Sequence, residues 1–180
     1  MLERDRSPAV EQTKATPIPL DDPTATVIRI LETFPLRPQY KSEQADLQTH
    51  IEAELRAALS PDYEVIISVG GNGKPSIALC GTSFWPDAEI RSLEGPLIGI
   101  EVKYVRRGQS ASKAIAETLG QTLIYRLRYN AVIAFILHEG VYNRRLCEHD
   151  ERSEERLARN GIQLVLRRRQ AAAVDAALLS

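Results

Sequence analysis

The residues with the clearest potential for chemistry lie in the segment Leu97–Val105, which has the sequence LIGIEVKYV. The segment is apolar except for Glu101 and Lys103, a composition typical of a β-strand. Because successive side chains alternate between the two faces of a strand, Glu101 and Lys103 project from the same face. A charged pair inside an apolar strand is costly unless other groups hold it. The pair is therefore either a functional element or a neutralising pair on the wet face of an edge strand.

A second acidic residue, Asp87, follows a proline 14 positions before Glu101. It lies in a strand-like run from Phe84 to Arg91, and the turn Ser92–Pro96 would join that run to the next strand as a hairpin. Such a hairpin would bring Asp87 beside Glu101. Two carboxylates in one site repel each other and favour a hard divalent cation, and Lys103 would hold a water or phosphate oxygen next to them. The combination outlines a hydrolytic phosphodiester site. The alternative is that Asp87 is a turn residue that follows a proline.

The rest of the chain predicts helices and strands in a mixed order. Helices are predicted at Thr24–Thr33, Ser42–Leu59, Ser110–Tyr129 and Asn143–Asn160. Further strands are predicted at Tyr63–Val69, Ser76–Cys80, Ala131–Leu137 and Ile162–Leu166. The glycine-rich segment Gly70–Gly73 predicts a hairpin between the first two of these strands. This order predicts an α/β domain with a mixed central sheet flanked by helices.

Pro86-Asp87 together with Glu101-Val102-Lys103 resembles the PD-(D/E)xK motif of the restriction-endonuclease-like nucleases. The predicted order of elements is similar to the αβββαβ core of that superfamily, and the resemblance covers about residues 42–137. It implies an Mg²⁺- or Mn²⁺-dependent nuclease that hydrolyses phosphodiester bonds. DNA is the substrate expected from the resemblance rather than RNA, because the family mostly cuts DNA.

The resemblance also implies a role for each residue of the motif. Asp87 and Glu101 would bind the metal, helped by a backbone carbonyl near Val102. Lys103 would orient the attacking water and stabilise the charge that develops during the reaction. The alternative is a non-catalytic nucleic-acid-binding or scaffolding protein of the same fold, although all three core residues of the motif are present.

Glu43, near the start of the second predicted helix, is a further candidate. It continues with the four-residue spacing of Leu47, Ile51 and Leu55, which define the buried stripe of that helix. The first core helix of many of the similar nucleases supplies a glutamate, so Glu43 would bind a second metal or a metal-bound water. The alternative is a first-turn acid that the helix dipole favours.

Gln121 and Tyr125 lie on the helix that follows the Glu101 strand and form the pattern Q-x-x-x-Y. This pattern resembles a motif in the RecB-like branch of the superfamily, and its spacing places both residues on one helix face. They would then support the site or the substrate strand. The alternative is an amphipathic helix with a buried tyrosine. Glu89 would be an additional acid near the site, although a surface position is the expectation favoured for it.

The charges are unevenly distributed, although the formal net charge of the chain is only −1. Residues 41–95 carry 4 basic and 9 acidic side chains, whereas residues 96–145 carry 8 basic and 3 acidic ones. This asymmetry permits a basic surface beside an acidic pocket. Arg106, Arg107 and Lys113 follow the Glu101 strand and are predicted to bind the nucleic acid. The alternative is a solvated loop.

The composition, 43% hydrophobic and 26% charged, is that of a folded globular domain, and no apolar run reaches the length of a membrane span. Residues 1–23 predict a flexible N-terminal arm, and residues 24–180 a single domain. Cys80 and Cys147 have no close cysteine partner, so a reducing cytoplasm is the expected location. Since the sequence indicates no separate recognition domain, targeting is expected to come from a partner protein or from a homodimer.

Overall fold

The computed structural model describes residues 22–67, 77–139 and 144–169, with side chains described from residue 152 onward in the last range. The helices are α1 (Pro23–Thr33), α2 (Thr49–Leu59), α3 (Ala111–Tyr125) and α4 (Arg144–Arg159). The strands are β1 (Glu64–Ile67), β2 (Ile77–Leu79), β3 (Thr82–Phe84), β4 (Ala88–Ser92), β5 (Gly95–Val105), β6 (Ala131–His138) and β7 (Ile162–Arg168). Of the predicted N-terminal arm, residues 1–21 lie outside the described residues.

The second predicted helix contains two kinds of turn. Ser42 caps it, since its Oγ accepts a hydrogen bond from the backbone amide of Ala45 at 2.9 Å. The first six residues, Glu43–Gln48, then form a π-helix, and α2 follows directly. The predicted stripe of Leu47, Ile51 and Leu55 is buried as expected. The continuous α-helix predicted from Ser42 is therefore wrong in its first turns, where one backbone hydrogen bond spans five residues.

A mixed sheet forms the centre of the fold. In the described residues it has five strands in the order β1-β4-β5-β6-β7, with β1, β4 and β5 antiparallel and β5, β6 and β7 parallel. The mixed α/β class and the flanking helices predicted from the sequence are confirmed. The predicted hairpin through Ser92–Pro96 is also confirmed, because β4 and β5 pair around that turn. β5 has a neighbour on each side up to Ile100, but its pairing with β4 ends there, so Glu101 and Lys103 lie where β5 pairs with β6 alone.

The pairing of the shorter strands differs from the prediction. The run Phe84–Arg91 is divided between β3 and β4, with residues 85–87 outside both strands. β2 pairs with β3 and not with β1, so the predicted pairing of Tyr63–Val69 with Ser76–Cys80 is wrong, and its turn Gly70–Gly73 lies outside the described residues. The local turn explains the outcome, because Cys80 and Gly81 both have positive φ and form a two-residue hairpin turn.

The two faces of the sheet have different partners. One face packs against α1 and α2 and forms the main apolar core, whose strand residues include Val65, Ile90, Ile100, Val102 and Phe135. The opposite face of β5 carries Gly99, Glu101 and Lys103, and α3 packs against β5 and β6. The polar residues of β5 therefore lie outside the main core. No helix in the described part of the chain has the length and hydropathy needed to cross a membrane.

Candidate active site

The candidate site lies where β5 extends beyond β4. The paired register of the two strands ends before Val102, which leaves the amides of Val102 and Tyr104 at an unpaired strand edge. The Val102 amide donates to Asp87 Oδ2 at 2.8 Å, and the Tyr104 amide donates to Glu43 Oε2 at 2.6 Å. Because an unpaired backbone amide is costly, these two bonds fix both carboxylates against the strand. Residues far apart in the sequence thus meet at one strand edge.

Asp87 and Glu101 face each other across this edge. Ala88 pairs with Ile100, so the same register places Asp87 opposite Glu101. Burial and the charge of Asp87 raise the pKa of Glu101 to about 8. Burial also raises the pKa of Asp87 to about 6, although the hydrogen bond from the Val102 amide opposes that change. Glu101 is buried and Asp87 partly buried, and their raised pKa values indicate that nearby positive charge does not balance the two carboxylates.

Lys103 and Glu43 flank the acidic pair. Lys103 lies on the same face of β5 as Glu101, and its Nζ is 3.9 Å from Glu43 Oε1. The lysine lowers the pKa of both Asp87 and Glu101, but burial outweighs this effect. The side chain of Lys103 is about one-third exposed, at 31%. It therefore stands between the buried carboxylates and solvent, where it can meet a bound substrate.

Tyr125 connects α3 to the site. Its hydroxyl lies within hydrogen-bond distance of two acceptors, Glu101 Oε2 at 3.0 Å and the Trp85 carbonyl at 2.9 Å. Burial and the charge of Glu101 raise the pKa of Tyr125, so the hydroxyl keeps its proton and acts as a donor. Gln121, one turn earlier on α3, is half-buried and makes no hydrogen bond to another described residue. The structure thus brings Tyr125 into contact with Glu101, whereas no hydrogen bond joins Gln121 to either acid.

Glu89 lies on the same face of the sheet as Asp87, and the expectation that it is a surface residue is wrong. Its side chain is 2% exposed and accepts hydrogen bonds from the Tyr129 hydroxyl and from Arg91 Nε, the latter at 2.9 Å. Gly99 makes the burial possible, because a Cβ at this position would come within 2.9 Å of the Tyr129 ring. The pairing could not be anticipated, since Tyr129 comes from the chain that follows α3.

Gln48, at the end of the π-helix, is a site residue that the sequence did not indicate. It is 2% exposed, and its side-chain amide donates a hydrogen bond that lowers the pKa of Asp87. Gln48 precedes the buried Ile51 and Leu55 by three and seven residues, a spacing that places it on the buried face of the helix, but its residue type does not reveal that it contacts Asp87.

A metal would have to be held by few side chains. No group of three or more His, Cys, Asp or Glu side chains in the described residues has an arrangement that could hold a metal ion. Mg²⁺ is usually bound by one or two carboxylates and keeps several waters, so the Asp87–Glu101 pair is sufficient in number. The carbonyl of Val102 faces the same strand edge as its amide and adds a backbone oxygen. The donor set therefore suits a hard divalent cation.

The three predicted cationic residues lie in different surroundings. Arg106 stacks over the Tyr104 ring, with Cζ 5.7 Å from the ring centroid, and donates to the Lys41 carbonyl. Arg107 is exposed, and Lys113 on α3 forms an exposed ion pair with Glu117 at 3.8 Å. A cavity of about 340 Å³ lies beside Arg106, lined by Gln39, Tyr40, Lys41, Tyr104, Arg106 and Glu139. Of these three residues, Arg106 is thus the one that contacts the segment before Glu43.

Comparison with known protein families, with curated proteins and with solved structures finds no match to this chain. The interpretation of the site therefore depends on its motif and its geometry. The motif places one carboxylate on each side of a hairpin, and the fold adds Glu43, Tyr125 and Gln48 from three other positions in the chain.

Proposed function

We propose that the chain is a metal-dependent nuclease of the restriction-endonuclease-like fold, which hydrolyses phosphodiester bonds in DNA. The observation that carries the proposal is the pair of Asp87, directly before β4, and the buried Glu101 on β5, beside Lys103. Crowded carboxylates cost stability in the absence of a counter-charge, so a fold that retains them has a use for that charge. A divalent cation supplies the counter-charge and the chemistry for phosphodiester hydrolysis.

Asp87, Glu101 and the Val102 carbonyl are the groups that would hold the cation. When bound, it would polarise a phosphate oxygen and lower the pKa of a water molecule. Asp87 Oδ2 accepts the Val102 amide, and the two oxygens of a carboxylate offer further lone pairs with which Asp87 can meet a cation. Glu43 uses Oε2 for the Tyr104 amide and holds Lys103 through Oε1, so it would act on a second cation or on a water.

The protein groups have separate tasks in this proposal. The ammonium group of Lys103 can donate three hydrogen bonds, so it can orient the attacking water and stabilise negative charge on the phosphate. Glu43 limits the positions that Lys103 can take, because the ion pair anchors the end of its flexible chain. The Tyr125 hydroxyl fixes the orientation of the Glu101 carboxylate. Gln121, one turn away on the same helix face, would contact the substrate strand and not the acids.

The substrate would cross the exposed edge of the site. Arg106, Arg107 and Lys113 follow β5 and would contact phosphates, which gives affinity without sequence preference. Arg106 donates to the Lys41 carbonyl, so the positive charge of these residues would extend to the segment that precedes Glu43. No element of the described residues forms a separate recognition domain. A second copy of the chain or a partner protein would then supply targeting.

A cleavage assay with matched variants tests the proposal. The full chain, freed of metal, is incubated with single-stranded DNA, double-stranded DNA or RNA and with Mg²⁺, Mn²⁺ or Ca²⁺. Lys103→Ala and Glu101→Gln should each lower the rate of cleavage by at least about 100-fold, because charge stabilisation in the transition state is lost. Glu94→Gln changes an exposed acid in the β4–β5 turn and should cleave like the wild type.

Two results would contradict the proposal. Equal cleavage by Lys103→Ala and the wild type would show that the activity resides elsewhere. Binding of nucleic acid without cleavage under any metal condition would favour the non-catalytic alternative.

A further inference from the structure

Gln48 contains an unusual atom. Among the described residues, Gln48 Oε1 is the one buried side-chain nitrogen or oxygen atom that lacks a hydrogen-bond partner. A buried acceptor without a donor is costly, and such atoms commonly mark a place where a water or an ion binds. The residue is 2% exposed, so bulk solvent does not satisfy this oxygen.

The orientation of the Gln48 amide follows from its neighbour. The amide contacts Asp87 and lowers its pKa, which requires that the nitrogen faces the carboxylate. If the amide were flipped, Gln48 Oε1 would face the Asp87 carboxylate, and two acceptors would oppose each other. The unpartnered oxygen therefore belongs to the same small group that touches Asp87. It lies in the immediate surroundings of the acidic pair.

The π-helix supplies a second and independent observation. Glu43 and Gln48 are its first and last residues. In an α-helix, residues five positions apart lie about 140° apart around the axis, so the two side chains would point in different directions. A π-helical turn closes over five residues and brings them to the same side. Glu43 reaches the Tyr104 amide and Gln48 reaches Asp87, so the irregular turn directs two polar side chains to one site.

We propose that Gln48 is a positioning residue, which holds Asp87 through Nε2 and, through Oε1, accepts a hydrogen bond from a water bound to the cation. This role rests on the proposed function, because the water needs the cation at Asp87 and Glu101. A cation-bound water is a strong donor, which matches a buried acceptor that has no other partner. Gln48 would thereby select one orientation of the water beside the acidic pair.

Titration of the full chain with Mn²⁺, followed by calorimetry, tests this role. Gln48→Met removes the acceptor and the donor while keeping a side chain of similar length, and should weaken Mn²⁺ binding about 10-fold or more. Gln48→Glu retains an acceptor oxygen, although it loses the donor to Asp87 and adds a negative charge, and should bind Mn²⁺ at least as tightly as the wild type. Gln44→Met, an exposed position in the same π-helix, is the matched control and should bind like the wild type. The melting temperature of each metal-free variant reports the fold separately.

The outcomes distinguish this role from the proposed function. Wild-type affinity in Gln48→Met would overturn the assignment of Gln48 while the cation site and the cleavage assay stand. Affinity as weak in Gln48→Glu as in Gln48→Met would overturn the acceptor role. Should Gln48→Met fail to fold, Gln48→Asn, which keeps the amide but withdraws it from the site, should give the same loss of affinity. Absence of Mn²⁺ binding by the wild type would overturn both the site and the role of Gln48.

Discussion

Replacing Glu101 by glutamine should stabilise the metal-free protein, although the residue lies at the centre of the candidate site. The pKa of Glu101 is raised to about 8 in the folded protein, from an ordinary value of 4.5. At pH 7 the unfolded chain ionises Glu101 while the folded chain keeps it protonated, and since each unit of difference corresponds to about 1.4 kcal/mol, this lowers the free energy of unfolding by at most about 3–4 kcal/mol. Glutamine has no charge to lose and can still accept the hydrogen bond from Tyr125.

The pH dependence identifies the cause of this effect. Below pH 4.5 the carboxyl group is protonated in the folded and the unfolded chain, so wild type and variant should have similar free energies of unfolding. As the pH rises above 4.5, the unfolded chain ionises first and the wild type loses stability until about pH 8. The advantage of Glu101→Gln should therefore grow from pH 4.5 to pH 8. Urea denaturation in the presence of EDTA, at several pH values, measures it.

Two comparisons make the test decisive. Glu94→Gln, at an exposed position, should show no such growing advantage. Addition of Mn²⁺ should reverse the order, because the cation stabilises only the protein that binds it. A constant difference across the pH range, or a less stable Glu101→Gln variant at pH 8, would refute the electrostatic reasoning.

Three further predictions follow from the same structure. Mn²⁺ affinity, measured by calorimetry, should increase between pH 5 and pH 8, because the raised pKa values of the acidic pair make protons compete with the cation; a flat profile would contradict the pair as ligands. Replacing Arg106 and Arg107 together by alanine should reduce the slope of log affinity against log salt by about one to two units in a DNA-binding titration; an unchanged slope would place the substrate elsewhere. Gly99→Ala should cost about 1–3 kcal/mol in urea denaturation, because the added Cβ meets the Tyr129 ring, whereas Gly120→Ala on the exposed side of α3 should not destabilise.

The sequence predicted the parts of the fold that short-range patterns determine. Alternation within β5 placed Glu101 and Lys103 on one face, and the turn Ser92–Pro96 fixed the hairpin that brings Asp87 opposite Glu101. These features depend on residues close together in the chain. At these positions the conformation that the local sequence prefers is the one that the folded structure has.

The remaining features depend on contacts between distant residues. The burial of Glu89 requires Tyr129, 40 positions later in the sequence, and the space left by Gly99. The role of Gln48 requires a π-helical turn, for which residue propensities give no signal. β2 pairs with β3 because the two-residue turn at Cys80 and Gly81 favours that hairpin over a longer connection to β1. In each case the deciding interaction was absent from the pattern around the residue itself.

The strand edge at Val102 and Tyr104 has a consequence for conformational entropy. A flexible acidic side chain normally gives up rotamer freedom when it binds a ligand, at a cost that reaches about 1.5–2 kcal/mol for glutamate. Asp87 and Glu43 have already lost that freedom during folding, because each uses one oxygen to complete the backbone hydrogen bonding of β5. Any ligand that meets their second oxygens encounters side chains that are ordered in advance. The edge of the sheet thus transfers part of the entropic cost of binding to the folding of the chain.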